Sequence, residues 1–222
     1  MKITPRLHAI ATIVKYRYVA DIGTDHGYLP IYLLAAKKAT QILATDINNM
    51  PLQRARNNIA ANHLSNRVQT MLTDGLENIP LGYETCIIAG MGGGLIVDII
   101  GKNLETARSF KQLILSPQRD VPYVRNFLHA NGFRIDDEEI VKDAGKFYNI
   151  MDCFVGQELP YDKKGYIFGK ILIKKKSPLL KELIDAEERK LNKIICKLDV
   201  YNTRRQKLEE YLECCREAKE CL

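Results

Sequence analysis

Along the first 155 residues, short β-rich runs alternate with stretches whose apolar positions recur at threes and fours, the pattern of an α/β domain built on a largely parallel sheet. The runs YVADI (18–22), QILAT (41–45), RVQTML (67–72), TCIIA (85–89) and KQLIL (111–115) predict five strands. Between them the spacing predicts helices near 28–37, 51–63, 93–104 and 120–131, the last with Val121, Val124, Phe127 and Leu128 on one face. A leading helix is expected after Thr4-Pro5, a cap followed by proline in the first turn, with Leu7, Ile10, Ala11 and Val14 on one face and an end near Tyr16. Past Gly132, two strands at 133–141 and 147–155 follow one another across KDAGK, so an antiparallel hairpin is expected to close a seven-stranded sheet.

From Gly156 to Tyr166 the chain is polar and carries Pro160 and Gly165, which marks a linker. Pro178 then opens a helical stretch in which Leu180, Ile184, Leu191, Ile194, Leu198, Tyr201, Leu208, Leu212 and Cys215 form a seam, interrupted by Glu187 and Arg205. A continuous coiled coil is one reading, but Asn202-Thr203 offers a turn and a fresh N-cap, so a hairpin of two antiparallel helices is expected. The expected domains are therefore 1–156 and 166–222, which suits 222 residues, one full domain with an appendage.

Composition narrows the function. No stretch approaches the ~18 uninterrupted apolar residues of a membrane span, and the N-terminus lacks the apolar core and cleavage site of a secretory signal, so a cytoplasmic protein with no membrane partner is expected. Six cysteines, at 86, 153, 196, 214, 215 and 221, form no Cys-x-x-Cys pair and do not cluster with the four histidines, which argues against a disulfide scaffold and against a metal. The net charge of +6 is unevenly distributed: residues 1–160 hold 17 Lys and Arg against 16 Asp and Glu, whereas residues 161–222 hold 16 against 11. A polyanionic partner for the tail and a merely solvated basic face both explain that asymmetry.

The junction of the first strand and the next helix reads VADIGTDHGYLP (19–30), the place where open α/β sheets bind ligands. Asp21, Gly23 and Gly27 fill three positions of an Asp-x-Gly-x-Gly-x-Gly pattern, with Asp25 replacing the middle glycine. A dinucleotide fingerprint needs that glycine to receive a pyrophosphate, which a carboxylate would repel, so a nicotinamide dehydrogenase is disfavoured. S-adenosylmethionine instead carries a sulfonium and an ammonium, which acids attract. Asp46 ends the second strand within reach of ribose hydroxyls, and Asp74 follows the third, where it can accept from an adenine amine. Each alone could be a helix cap or a turn; three acids at the ends of three successive strands favour a cofactor. Gly90-Met91-Gly92-Gly93, after the fourth strand, offers bare backbone either for a flat ring or for a tight turn, and the Asn/Asp-Pro-Pro-aromatic motif of exocyclic amine methylation is absent.

VADIGTDHGYLP, Asp46-x-Asn48 with Pro51, DGL (74–76), IAGMGG (88–93), LILSP (113–117) and GKFYNI (145–150) together resemble the bacterial tRNA (adenine(22)-N1)-methyltransferase family, TrmK, over the whole chain. The resemblance implies a Rossmann-like class I methyltransferase with a C-terminal helical hairpin, S-adenosylmethionine as donor and N1 of adenine 22 in tRNA as acceptor. Ser116 and Asn149 depart from the Gln and Glu common in the family and are expected near the base pocket. Cofactor contacts are expected from Asp21, Gly23, Asp25, Gly27, Asp46, Ile47, Asn48, Asp74, Gly75 and Gly90. Asp25 is expected to stabilise developing positive charge, with His26 and Tyr28 orienting base or cofactor, although a hydrogen-bonded structural role suits His26 equally. Met91, Gly92, Pro117 and Tyr148 are expected to wall the base pocket, and Lys174, Lys175, Lys176, Arg204 and Arg205 to meet tRNA phosphates. Activity on another RNA nucleobase and a silent RNA-binding module are the alternatives. A monomer is expected, with a dimer through the helical seam as the other possibility.

Overall fold

The computed structural model describes residues 3–199 and 201–222; Met1, Lys2 and Val200, which fall inside the expected domain and tail, lie outside the described residues. The chain divides into two compact units, Met1–Glu158 and Leu159–Leu222.

In the first unit, β1 (Tyr18–Ile22), β2 (Gln41–Asp46), β3 (Val68–Leu72), β4 (Thr85–Ala89), β5 (Gln112–Ser116), β6 (Phe133–Asp143) and β7 (Lys146–Val155) form one sheet in the order β3-β2-β1-β4-β5-β7-β6. The first five strands are parallel, and β7 runs antiparallel to both β5 and β6. The central strands are buried on both faces, so they read as continuous apolar runs rather than alternating ones. Helices α1 (Pro5–Ile13), α2 (Tyr28–Ala35) and α3 (Asn49–Ala61) set Ile10, Leu33 and Ile59 against Val19, Ile42, Ala44, Ile87 and Ile114. The alternate residues Leu43, Cys86, Ile88, Leu113 and Leu115 turn to the opposite face. Ile96 and Ile100 of α4 (Gly93–Lys102) and Val124 and Leu128 of α6 (Val121–Ala130) are equally buried. At the hairpin, Ala144 and Gly145 both hold positive φ (47° and 78°), the left-handed pair that a two-residue turn between twisted strands requires.

Two differences from expectation have local causes. The helix expected over 93–104 breaks at Asn103, and a separate α5 (Leu104–Ser109) follows it. Helix α1 stops at Ile13 rather than near Tyr16, because the buried amide of Gln112 takes over the backbone there. Its Nε2 donates to Ile13 O (2.9 Å) and Asp152 Oδ1 (2.7 Å), and its Oε1 accepts from Lys15 N (3.1 Å). This clamp fixes the C-terminal end of α1 at the amino end of β5. The N-terminal turn is thereby presented at the opposite edge of the sheet, where the parallel strands end.

In the second unit, the segment expected as linker is partly structured. Tyr161 is buried with its ring 5.4 Å from Tyr166, and Gly165–Gly169 forms a π-helical turn that runs into α7 (Lys170–Lys174). The glycines read as breakers in sequence, yet Phe168 and Leu172 are buried. Helices α8 (Pro178–Ile195) and α9 (Thr203–Glu220) form the expected antiparallel hairpin, with Asn202 Oδ1 accepting from Arg204 N (2.9 Å) as N-cap. Leu180, Ile184, Leu191, Leu212 and Cys215 are buried along it. Ile195 rather than Ile194 completes the α8 stripe, and Tyr201 lies outside the seam, 92% exposed in the turn.

One ion pair is completely enclosed: Arg125 Nε donates to Glu138 Oε1 at 2.8 Å, and Arg125 Nη2 donates to Asn149 Oδ1 at 3.2 Å. Asn149 therefore serves this interior network and not the base pocket expected for it. Burial pushes the Glu138 carboxyl up, against the pull of Arg125. Removing one partner leaves an uncompensated buried charge, so Arg125→Met should cost about 3–5 kcal/mol in urea unfolding, and adding Glu138→Leu should recover part of the loss.

Candidate active site

Three carboxylates converge because three parallel strands end at the same edge. Asp21 lies in β1, Asp46 ends β2 and Asp74 follows β3, and all three line one cavity of about 510 Å³. The strand order reverses between β1 and β4, which opens the crevice where such sheets take ligands. Gly23 N and Thr24 N both donate to Thr45 O, at 2.9 and 2.8 Å, turning the chain sharply out of β1. Asp46 is buried, and its carboxylate is positioned by Asn48 N on Oδ1 (2.9 Å) and Asp25 N on Oδ2 (3.3 Å). Each oxygen retains acceptor capacity for a further donor.

Asp21 is 4% exposed and accepts from Thr24 Oγ1 at 2.7 Å. Burial pushes its carboxyl up to about 6; the Thr24 hydroxyl pulls the other way, and the nearby Asp46 adds to the rise. At the mouth, the rings of His26 and Tyr28 stack at 5.4 Å with 15° between their planes, and His26 Nε2 lies 3.6 Å from Asp25 Oδ1. The Asp25 side chain is 65% exposed.

The glycine run after β4 is pinned to the loop after β5. Gly90 N donates to Ser116 O (3.2 Å), Gln118 N to Met91 O (2.8 Å) and Gly93 N to Arg119 O (3.0 Å). A Cβ on Gly93 would stand 2.7 Å from Asp120 O, so close approach of backbone, rather than of a ligand, fixes that glycine. The Met91 methyl lies over Gly23, where a Cβ would collide with it.

Of the residues expected at the site, Asp21, Gly23, Asp25, His26, Tyr28, Asp46, Ile47, Asn48, Asp74, Gly75, Gly90 and Met91 line the cavity. Four others do not. Gly27 gives room to α3, since a Cβ there would sit 3.2 Å from that of Ala55. Gly92 faces the Arg119 side chain, Pro117 is buried behind the loop, and Tyr148 lies under the Arg6 guanidinium, 5.0 Å from ring centre to Cζ. Ser116 is fully buried rather than pocket-lining. In the second unit Lys174, Lys175, Lys176 and Arg204 are exposed, whereas Arg205 is engaged in the turn, donating to Glu209 Oε1 (2.8 Å) and Leu198 O (2.9 Å). The sequence reading missed Arg6, Thr24, Thr45, Leu95, Ile99 and Gln118, all of which line the cavity. Arg6 had a signal: it precedes the buried Ile10 by four residues and so shares the inward face of α1.

The sheet order, the acid at each of three strand ends and the glycine-turned first loop define a class I methyltransferase fold, and residues 3–151 match the family model described as a methyltransferase domain. The tRNA (adenine(22)-N(1))-methyltransferase of Bacillus subtilis is 32% identical over 184 residues, covering 80% of this chain and 77% of that protein. A Streptococcus pneumoniae structure, described as a candidate tRNA (m1A22) methyltransferase in complex with S-adenosyl-L-methionine, superposes with a TM-score of 0.90 at 30% identity, covering 98% of this chain and 100% of that one. The crystal structure of Bacillus subtilis TrmK gives 0.88 at 26% identity, covering 98% and 99%. The chain belongs to the tRNA (adenine(22)-N1)-methyltransferase family.

The residues of the cavity suit the cofactor of that family. Its acids suit a cationic ligand, and two buried polar atoms, Arg6 Nη1 and Thr45 Oγ1, have no hydrogen-bond partner among the described residues. The raised carboxyl of Asp21 has a consequence for stability. A group that holds its proton more tightly when folded stabilises the fold fully below its ordinary value of 3.8, and that contribution is lost as pH rises through about 6. Between pH 4 and 6.5 the ligand-free protein should therefore lose up to about 3 kcal/mol relative to Asp21→Asn, measured by urea unfolding of both; parallel pH profiles would remove Asp21 as the source.

Proposed function

We propose that this chain transfers a methyl group from S-adenosylmethionine to N1 of adenine 22 in tRNA, acting as a cytoplasmic monomer. The observation that carries the reading is the convergence of Asp21, Asp46 and Asp74 in one cavity of a chain similar, over nearly its full length, to a protein solved with that cofactor. Bound there, the cofactor supplies an electrophilic methyl group on a sulfonium. Asp46, with its orientation fixed by two backbone amides, accepts the ribose hydroxyls, and Asp74 accepts from the adenine amine. Asp21 meets the positive charge of the donor. Neutral adenine already has a lone pair on N1, so no side chain need act as general base, and alignment supplies much of the rate. The product ring is cationic. Asp25 at the mouth stabilises that charge as it develops, while the stacked His26 and Tyr28 orient the incoming base against Met91.

Base-paired adenine presents N1 to its partner, so it must be extruded at a cost of a few kcal/mol, which contacts elsewhere on the RNA offset. The basic second unit supplies them through Lys174, Lys175, Lys176 and Arg204. Burial of Leu180, Ile184 and Leu191 within their own hairpin favours this role over self-association.

Mass-spectrometric mapping of methyl groups on unmodified tRNA incubated with protein and S-adenosylmethionine should find one new methyl, on N1 of A22; methylation elsewhere, or none, would overturn the reading. Asp46→Ala should weaken cofactor binding in calorimetry by about 1.5–3 kcal/mol, the range for a hydrogen bond to a charged group. Replacing Lys174, Lys175 and Lys176 together by Ala should weaken tRNA binding and flatten its dependence on log salt by ~2–3, leaving cofactor affinity unchanged. Unaltered tRNA affinity would remove these lysines from the interface.

A further inference from the structure

Phosphate has to come close to the acid-lined cavity, and the loops around it are almost bare of basic residues. A nucleobase enters joined to its ribose and to the phosphates on either side, so the RNA backbone must rest within one nucleotide's length of Asp21, Asp25, Asp46 and Asp74. Like charges at that range repel. Among the described residues, the five segments that follow the parallel strands (23–27, 47–48, 73–84, 90–92 and 117–120) contain one Lys or Arg, and it is Arg119.

The loop after β5 sets that residue at the lip. Gln118 N donates to Met91 O (2.8 Å) and Gly93 N to Arg119 O (3.0 Å), which fixes the loop against the turn after β4; Met91 and Gln118 both line the cavity. Arg119 stands one residue outside that lining. Its guanidinium crosses Gly92, where a Cβ would come within 2.9 Å of Nε, yet the side chain is 81% exposed, so its outer edge is open to solvent. Asp120 Oδ2 lies 3.6 Å from the same Nε. Asp120 holds a left-handed backbone (φ 56°) at the start of α6 and makes no side-chain cap to that helix. An ion pair that wide between exposed groups adds little and gives way to an anion that takes both arms of the guanidinium.

Resting on the methyltransferase reading above, we propose that Arg119 binds a phosphate flanking the target adenosine, and that Asp120 holds the guanidinium at the lip until RNA replaces it. The planar fork of arginine matches two phosphate oxygens at once. A phosphate far from the target is the poorer partner, because Arg119 is anchored between the two loops that supply Met91 and Gln118 to the cavity. Stacking on the adenine is poorer still: the ring becomes cationic, and a guanidinium against it would oppose the reaction.

Full-length tRNA in which a neutral methylphosphonate replaces the phosphate on one side of A22 or the other tests this against unmodified tRNA. One of the two replacements should weaken binding to the wild-type chain about 10-fold, the lower end of the range for a charge-assisted contact. Arg119→Gln should bind unmodified tRNA about 10-fold more weakly, flatten the dependence of log affinity on log salt by ~1 and no longer distinguish the RNAs, with S-adenosylmethionine affinity unchanged. Asp120→Asn, which keeps a side chain tolerant of the left-handed backbone, should tighten tRNA binding several-fold. Unaltered tRNA affinity in Arg119→Gln, or equal methylphosphonate losses in wild type and variant, would overturn the proposal. So would a flattened salt dependence with no sensitivity to either flanking phosphate, since the contact would then lie elsewhere on the RNA. Failure of the wild type to bind S-adenosylmethionine and to methylate A22 would instead sink the methyltransferase reading itself.

Discussion

Parallel pairing of β1 with β2 sets Ile22 beside Thr45, and the Thr45 carbonyl then accepts from both Gly23 N and Thr24 N. One acceptor shared by two successive amides ends the strand and bends the chain back over its neighbour, a path that Gly23 can follow at φ 75°. The next amide, that of Asp25, is delivered to the carboxylate of Asp46. Positions of the first loop, the Asp46 carboxylate and the mouth residues are therefore linked through a single inter-strand register. A slip of one residue would turn Asp21 and Asp46 to the wrong faces and dissolve the cavity.

The two buried acids of that junction differ through their partners. Asp46 accepts two backbone N–H groups, whereas Asp21 has one hydroxyl donor and is enclosed between strands, so burial dominates and its carboxyl rises to about 6. An acid poised near neutrality and next to another acid is well matched to a cationic ligand, because binding relieves the repulsion that its own ionisation creates. Rigid acceptance and adjustable charge are thus divided between neighbours on adjacent strands.

The strands were legible because parallel strands buried on both faces must be apolar throughout and must meet polar residues where they end, so YVADI, QILAT and TCIIA announced the sheet, and the first two also its acids Asp21 and Asp46. Other features depended on tertiary partners that no local pattern contains. Gly27 and Gly23 are equivalent in sequence, but only the structure shows that Gly27 is kept small by Ala55. Tyr201 fits the seam spacing, yet the helix stops before it and leaves it in the turn. Gly165 and Gly169 look like breakers until Phe168 and Leu172 find burial. Arg6 was read as part of a generic leading helix, since the clamp that aims it lies at Gln112, more than a hundred residues away in sequence.

Charge is partitioned in a way that follows from the chemistry. A pocket that holds a sulfonium donor and yields a cationic base is best lined with acids, and four aspartates line this one. The same acids repel the phosphates that accompany every nucleotide brought to it, and residues 1–160 are nearly neutral overall. Attraction for RNA must then come from charge other than that of the pocket. The chain's net charge of +6 lies almost wholly in 161–222, with 16 basic against 11 acidic residues, so one chain carries both an overall charge that favours a polyanion and an acid-lined cavity that favours a cation.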